Sequence, residues 1–323
     1  MCRGLLCYDG PLMLNGVARI YAIAINTFRE AVRDRVLYGV LGFACAVLFF
    51  TLAIAELSVH EQERVVADVG LASISMFSVI VAMFLGSSLL YKEIERKTLY
   101  VILPKPVHRA EFLLGKYFGI FLTALVFVAL MGSLQLWITA VQAGAQVPLA
   151  CGVLLGLLVL LGIALSLAGD RTAVLVPYSL VALTSCAFFA AGTEAQVEPV
   201  LAQLFLCAIE VLVLAAVALL FSSFSTPFLT GAFTMGIWLL GRSADDMATM
   251  KSKQLAEPIR KLLHFLAEIL PNLQLYVPGR SLLSGHGKVS VWFYVGEATA
   301  YGLVYAALIL LMAALIFRRR DFI

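Results

Sequence analysis

Long apolar runs broken by short polar punctuation set the character of this chain. Stretches without Asp, Glu, Lys, Arg or His run from Val36 to Ala55, Val69 to Tyr91, Tyr117 to Gly169, Thr172 to Thr193 and Val211 to Gly241. About 20 apolar residues in a helix cross roughly 30 Å of hydrocarbon, so each run is long enough for at least one crossing. The Tyr117–Gly169 run holds 53 residues. As one helix it would extend about 80 Å, so it must fold back. The turn chemistry within it is AGAQVP, around Gly144 and Pro148. The pattern predicts spans at 36–57, 69–91, 117–141, 149–169, 172–192, 199–221 and 291–317. A shorter piece at 227–241, about 22 Å as a helix, stops short or is broken.

The segment before the first span follows a different rhythm. From Gly16 to Arg35, the apolar residues Val17, Ile20, Tyr21, Ala24, Phe28, Ala31 and Val32 recur at three- and four-residue steps. Arg19, Arg29, Glu30, Arg33, Asp34 and Arg35 fall mostly on the opposite side. Such a helix belongs in the membrane interface with its basic face toward headgroups; a cytosolic extension of the first span is the alternative. The opening MCRGLLCYDGPLML has too short an apolar core for a cleaved signal, and the first span serves as its own targeting signal.

Composition removes whole classes of function. The chain is 62% hydrophobic and 13% charged, with a mean hydropathy of +0.98. That leaves about half the charge of an ordinary soluble domain. A net charge of +3 does not suit a nucleic-acid binder. The cysteines form no CxxC pair, and four of the six lie in apolar runs where thiols behave as small hydrophobes. The reading is an all-α polytopic membrane protein of about eight transmembrane helices. Fifteen of the 23 basic residues fall on the side that carries both termini, which makes the termini cytoplasmic. The outer side holds the 242–290 segment.

Catalytic motifs fail one by one. His60-Glu61-Gln62-Glu63 opens like HExxH, but position 64 is Arg and the second zinc ligand is missing. Ala168-Gly169-Asp170 lacks the first glycine of a Gly-x-Gly-Asp motif, since Leu167 stands there. Gly115-Lys116-Tyr117 resembles the end of a phosphate-binding loop. Ala110 replaces its first glycine, and Tyr117 replaces the hydroxyl that would hold magnesium. No catalytic, metal or cofactor site is predicted.

The order of the remaining features resembles the permease subunits of ABC-2 type ATP-binding cassette transporters. The resemblance rests on TFREAVRDRVLYG before the first span and on DVGLASISMFSVIVAMFLGSSLLYKEIERKTLYVILPKPVHRAEFLLGKYFG across the second span and its loop. It also rests on ALLFSSFSTP, LPNLQLY and the terminal FRRRDF. It implies a cytoplasmic N-terminus and elbow helix over 1–35, with Arg29, Arg33 and Arg35 on its basic face, followed by a permease domain over 36–323. Residues 92–112 become the cytoplasmic loop that couples to a separate ATPase, and the break between the last long span and the terminal span returns on the outer side as a re-entrant hairpin. Such permeases have six spans, so 149–196 reads as an inserted helical hairpin.

The loop itself supports docking. Lys92, Glu93, Glu95, Arg96, Lys97, Lys105, Arg109 and Glu111 offer pairing groups beside Thr98 and the apolar Leu99, Tyr100 and Ile102. A solvated basic loop accounts for the cations but not for the interleaved glutamates and apolar run. The resemblance thus implies an exporter subunit of the plasma (inner) membrane. Such a subunit dimerises with a second permease subunit, homo- or heteromeric, and is driven by two copies of an ABC ATPase. This chain binds no cofactor, while ATP and magnesium belong to that partner. A secondary transporter driven by an ion gradient is the alternative. It needs internal repeats and several intramembrane charges, whereas only Glu210 lies deep, with Glu56 and Glu297 nearer the outer face. Three roles stay open for Glu210: a protonated carboxyl bonded to Gln135, Thr184 or Ser185, a lining of the substrate path, or a proton relay.

Overall fold

The computed structural model describes residues 16–56, 62–95, 108–168, 172–193, 195–244, 265, 269–277 and 290–319. Among them the regular structure is helical throughout: α1 (Gly16–Val32), α2 (Arg35–Glu56), α3 (Gln62–Glu95), α4 (Arg109–Gln142), α5 (Val147–Leu167), α6 (Leu175–Ala191), α7 (Val197–Ser222), α8 (Pro227–Arg242) and α9 (Val291–Arg319). A short 3-10 turn, Leu273–Tyr276, precedes α9. Six helices (α2, α3, α4, α5, α7 and α9) are long and apolar enough to cross a membrane. With α6 and α8, eight apolar helices follow α1, as an all-α polytopic membrane protein requires.

Two helices are shorter than a full crossing. α8 has 16 residues, and its predicted brevity is observed. The span predicted at 172–192 contracts to the 17-residue α6, because Thr172–Val174 form a turn and Gly192-Thr193 end the helix. The fold-back between α4 and α5 falls at the predicted glycine. Gly144 has φ +84, a left-handed conformation that glycine adopts without a Cβ clash. Pro148 then lies in the first turn of α5, where its missing N–H removes no helical bond.

α7 is the axis of the bundle. In its most apolar stretch 83% of residues are buried, against 6% in α5. A helix apolar on all faces can be packed on all faces, and α7 touches α3, α4, α8 and α9. Small residues set its closest approaches. A Cβ on Gly86 of α3 would lie 2.5 Å from the Ala218 Cβ, and one on Gly132 of α4 would lie 2.6 Å from Leu204. Polar groups add ties between helices: Tyr117 donates its hydroxyl to the Leu212 carbonyl (3.0 Å), and Gln135 donates to the Val66 carbonyl (3.1 Å). α5 lies at the edge, where Trp137 donates to the Ala150 carbonyl (2.9 Å) and Tyr178 to the Leu157 carbonyl (3.2 Å).

Candidate functional site

Two clusters of charged side chains lie inside this apolar frame. The first forms at one end of the bundle, where α1 packs along the first half of α4. Contacts progress in the same order along both helices. Gly115 faces Ile20 and Ile23, Gly119 faces Ala24 and Thr27, and Val126 joins Phe28 and Val32. The glycines bring the backbones together: a Cβ on Gly119 would stand 2.7 Å from the Ala24 carbonyl oxygen. This is the small-xxx-small geometry by which membrane helices pack closely.

Charges flank that seam. Arg19 donates from Nη2 to Glu111 Oε1 at 2.9 Å, while Glu111 Oε2 accepts the His108 N–H at 3.3 Å and caps α4. Lys116, with a 1% exposed side chain, has Nζ 3.7 Å from Glu30 Oε2 and 6.0 Å from the Phe112 ring centre. Phe112 in turn stacks on Phe317 near the end of α9. The Gly115-Lys116 pair that resembles a phosphate loop is thus a packing seam and a buried cation. On α1 the structure moves the buried face: Ala24, Thr27, Phe28, Ala31 and Val32 are buried, but Val17 and Tyr21 are exposed. Periodicity alone cannot tell where along its length the facing helix makes contact.

The coupling residues divide across the described boundary. Lys92, Glu93 and Glu95 lie in the last turns of α3, and Arg109 opens α4. Arg96, Lys97, Thr98, Leu99, Tyr100 and Lys105 lie outside the described residues. Arg29, Arg33 and Arg35 are exposed around the α1–α2 junction.

The second cluster surrounds Glu210, fully buried at the middle of α7. Its expected partners are elsewhere: Gln135 serves the Val66 carbonyl, and Thr184 and Ser185 bond carbonyls of their own helix. Its Oε1 instead accepts from Trp238 Nε1 (2.9 Å) and from Arg242 Nε and Nη2 (3.1 and 2.9 Å). Oε2 accepts from Arg242 Nη2 (3.0 Å) and from Ser75 Oγ (2.7 Å), and Ser75 accepts from Arg242. The guanidinium also lies 5.4 Å from the centre of the Trp238 ring. Three helices meet here: α3 through Ser75, α7 through Glu210, and α8 through Trp238 and Arg242. A guanidinium that reaches both carboxyl oxygens has the geometry of a charge-assisted pair. Removing one charge from such a pair leaves the other uncompensated, at a cost of about 3–5 kcal/mol.

Arg242 counts with the outer segment in the sequence, yet its side chain is 23% exposed and reaches the core. A signal existed. α8 is too short to cross, so its terminal cation stops at depth, where a carboxylate must neutralise it. Among the described residues, no three metal-ligating side chains form a group.

Helices long and apolar enough to cross a membrane, packed around a buried ion pair, define a polytopic helical membrane protein. The family model of the ABC-2 type transporter matches residues 18–182, and the chain belongs to that family. The match begins within α1, covers α2 through α5 and ends within α6. No curated protein matches the chain.

Proposed function

We propose that this chain is the membrane-spanning permease subunit of an ATP-driven exporter, working as a dimer with a second permease subunit and with two copies of a separate ABC ATPase. The observation that carries the reading, beyond family membership, is the α1–α4 seam. Two ion pairs and two glycine contacts fasten α1 to the start of α4, immediately after the 96–107 segment. A push on that segment therefore acts on α1 and α4 as one body. α3 enters the same segment from the other side, so both flanking helices carry the motion inward.

In this reading both termini are cytoplasmic in the plasma (inner) membrane, and 242–290 is outside. Residues 1–35 supply the elbow helix, with Arg29, Arg33 and Arg35 toward headgroups, and 149–196 is the added hairpin. The ATPase docks on Lys92, Glu93, Glu95, Arg96, Lys97, Thr98, Leu99, Tyr100, Lys105 and Arg109, and supplies ATP and magnesium. The test is purification of the tagged chain from its own membranes. The wild type should bring an ATPase with magnesium-dependent ATP turnover. Glu93→Lys with Glu95→Lys should insert normally but lose both. Retention of the ATPase by that double variant would place docking elsewhere, and a wild-type chain that purifies without any ATPase would refute the reading.

A further inference from the structure

The Glu210 network has a geometry that a simple tie between two helices does not need. Glu210 has no exposed surface, and both its oxygens are filled by donors from two other helices. Ser75 is the pivot of the arrangement: its hydroxyl accepts from Arg242 and donates to Glu210, so α3 closes a ring that α7 and α8 begin. Below Ser75, α3 continues unbroken for 20 residues to Glu95, about 30 Å of helix. On the way it passes α7 at the Gly86–Ala218 contact, close enough to make the two backbones one body there. α8 is held differently. It enters after the break at Ser223–Thr226, and Ser225 and Thr230 bond each other at 2.9 Å near its start. At its far end Gly241 touches the Pro271 carbonyl and Leu273, and Arg242 reaches the ring. Arg242 lies in the final turn of α8, where a cation also suits the helix dipole.

We propose that Ser75, Glu210 and Arg242 form the positioning element that ties the C-terminal end of α8 to α3, so that displacement of α3 during the transport cycle moves α8. This rests on the permease reading, because it takes the cytoplasmic end of α3 as the driven end. The residues act through helix position and touch no reacting atom. A buried ion pair suits the role because it holds one arrangement sharply and resists an intermediate one, in which either charge would be bare.

The experiment compares wild type, Glu210→Gln, Arg242→Gln, the double variant Glu210→Gln/Arg242→Gln, and Ser75→Ala, each purified with its ATPase and placed in phospholipid vesicles. Thermal stability and ATP turnover are read together, with hydrogen exchange at residues 236–242. Each single charge variant should lose thermal stability, and the double should recover it, because no bare charge remains. Turnover in the double should nonetheless stay about fivefold or more away from wild type. Ser75→Ala keeps the ion pair and should leave melting nearly unchanged while raising exchange at 236–242 by about three- to tenfold. Recovery of turnover together with stability in the double variant would overturn the proposal and reduce the network to a structural tie. So would Ser75→Ala with unchanged exchange and turnover. Absence of the ATPase from the wild-type preparation would refute the permease reading instead, and exchange in Ser75→Ala would still decide whether α3 holds α8.

Discussion

Gly119 is the position where one added methyl group should be felt most. An alanine Cβ there would lie 2.5 Å from the Thr27 Cβ and 2.7 Å from the Ala24 carbonyl oxygen. Carbon atoms in contact rest at about 3.5–4.0 Å, so α1 and α4 must part by roughly 1 Å. A backbone oxygen cannot turn aside as the end of a flexible side chain would. Overpacking of this kind costs about 1–3 kcal/mol, and Gly119→Leu should cost more. The natural controls are Gly152 and Gly156 on α5, where an added Cβ meets nothing within 4 Å. Alanine there should be neutral or stabilising, by up to about 1 kcal/mol from helix propensity. Thermal stability in detergent, followed by size-exclusion chromatography, would rank the variants. The same Gly119 variants should loosen the Arg19–Glu111 bond and depress ATP turnover in the assembled complex. A Gly119→Ala protein as stable as wild type, or a Gly152→Ala protein equally damaged, would refute the packing argument.

Further outcomes follow from the same geometry. Lys116→Met should cost under about 1 kcal/mol, since the apolar stem is kept and Glu30 is partly solvated; Lys116→Glu buries a bare carboxylate and should cost at least about 3 kcal/mol. Melting of the two variants, measured side by side, separates a charge effect from a packing effect. For topology, Ser252→Cys should react with an impermeant thiol reagent on intact cells, and Arg171→Cys only after permeabilisation. The opposite pattern would overturn the eight-crossing layout.

The helices were legible in the sequence because hydrocarbon thickness is a hard length scale. The 53-residue uncharged run had to fold back, and it does so at Gly144. Glu210 was legible as a problem, since a buried carboxylate demands a partner, but its solution showed only indirectly, through the shortness of α8. Arg242 lies 32 residues further on, at the end of a helix too short to span, and long-range pairing leaves no periodic trace. The α1–α4 seam shows the opposite failure. Its glycines and lysine are visible as Gly115-Lys116 and Gly119, yet a local string carries no sign of whether it cradles a phosphate or a helix. Ile23 and Thr27, which fill those gaps, come from a different part of the chain.

Photo-cross-linking from residue 99 tests the central claim most directly. A photoreactive amino acid replaces Leu99 in the charged loop, and a second version replaces Val159 on the exposed face of α5. Both are irradiated in native membranes, and the adducts are identified by mass spectrometry. The account predicts an adduct between this chain and an ABC ATPase from position 99, enriched when magnesium and a non-hydrolysable ATP analogue are present, and lipid adducts from position 159. ATPase adducts absent from position 99, in membranes where the chain is inserted and position 159 labels lipid, would contradict it.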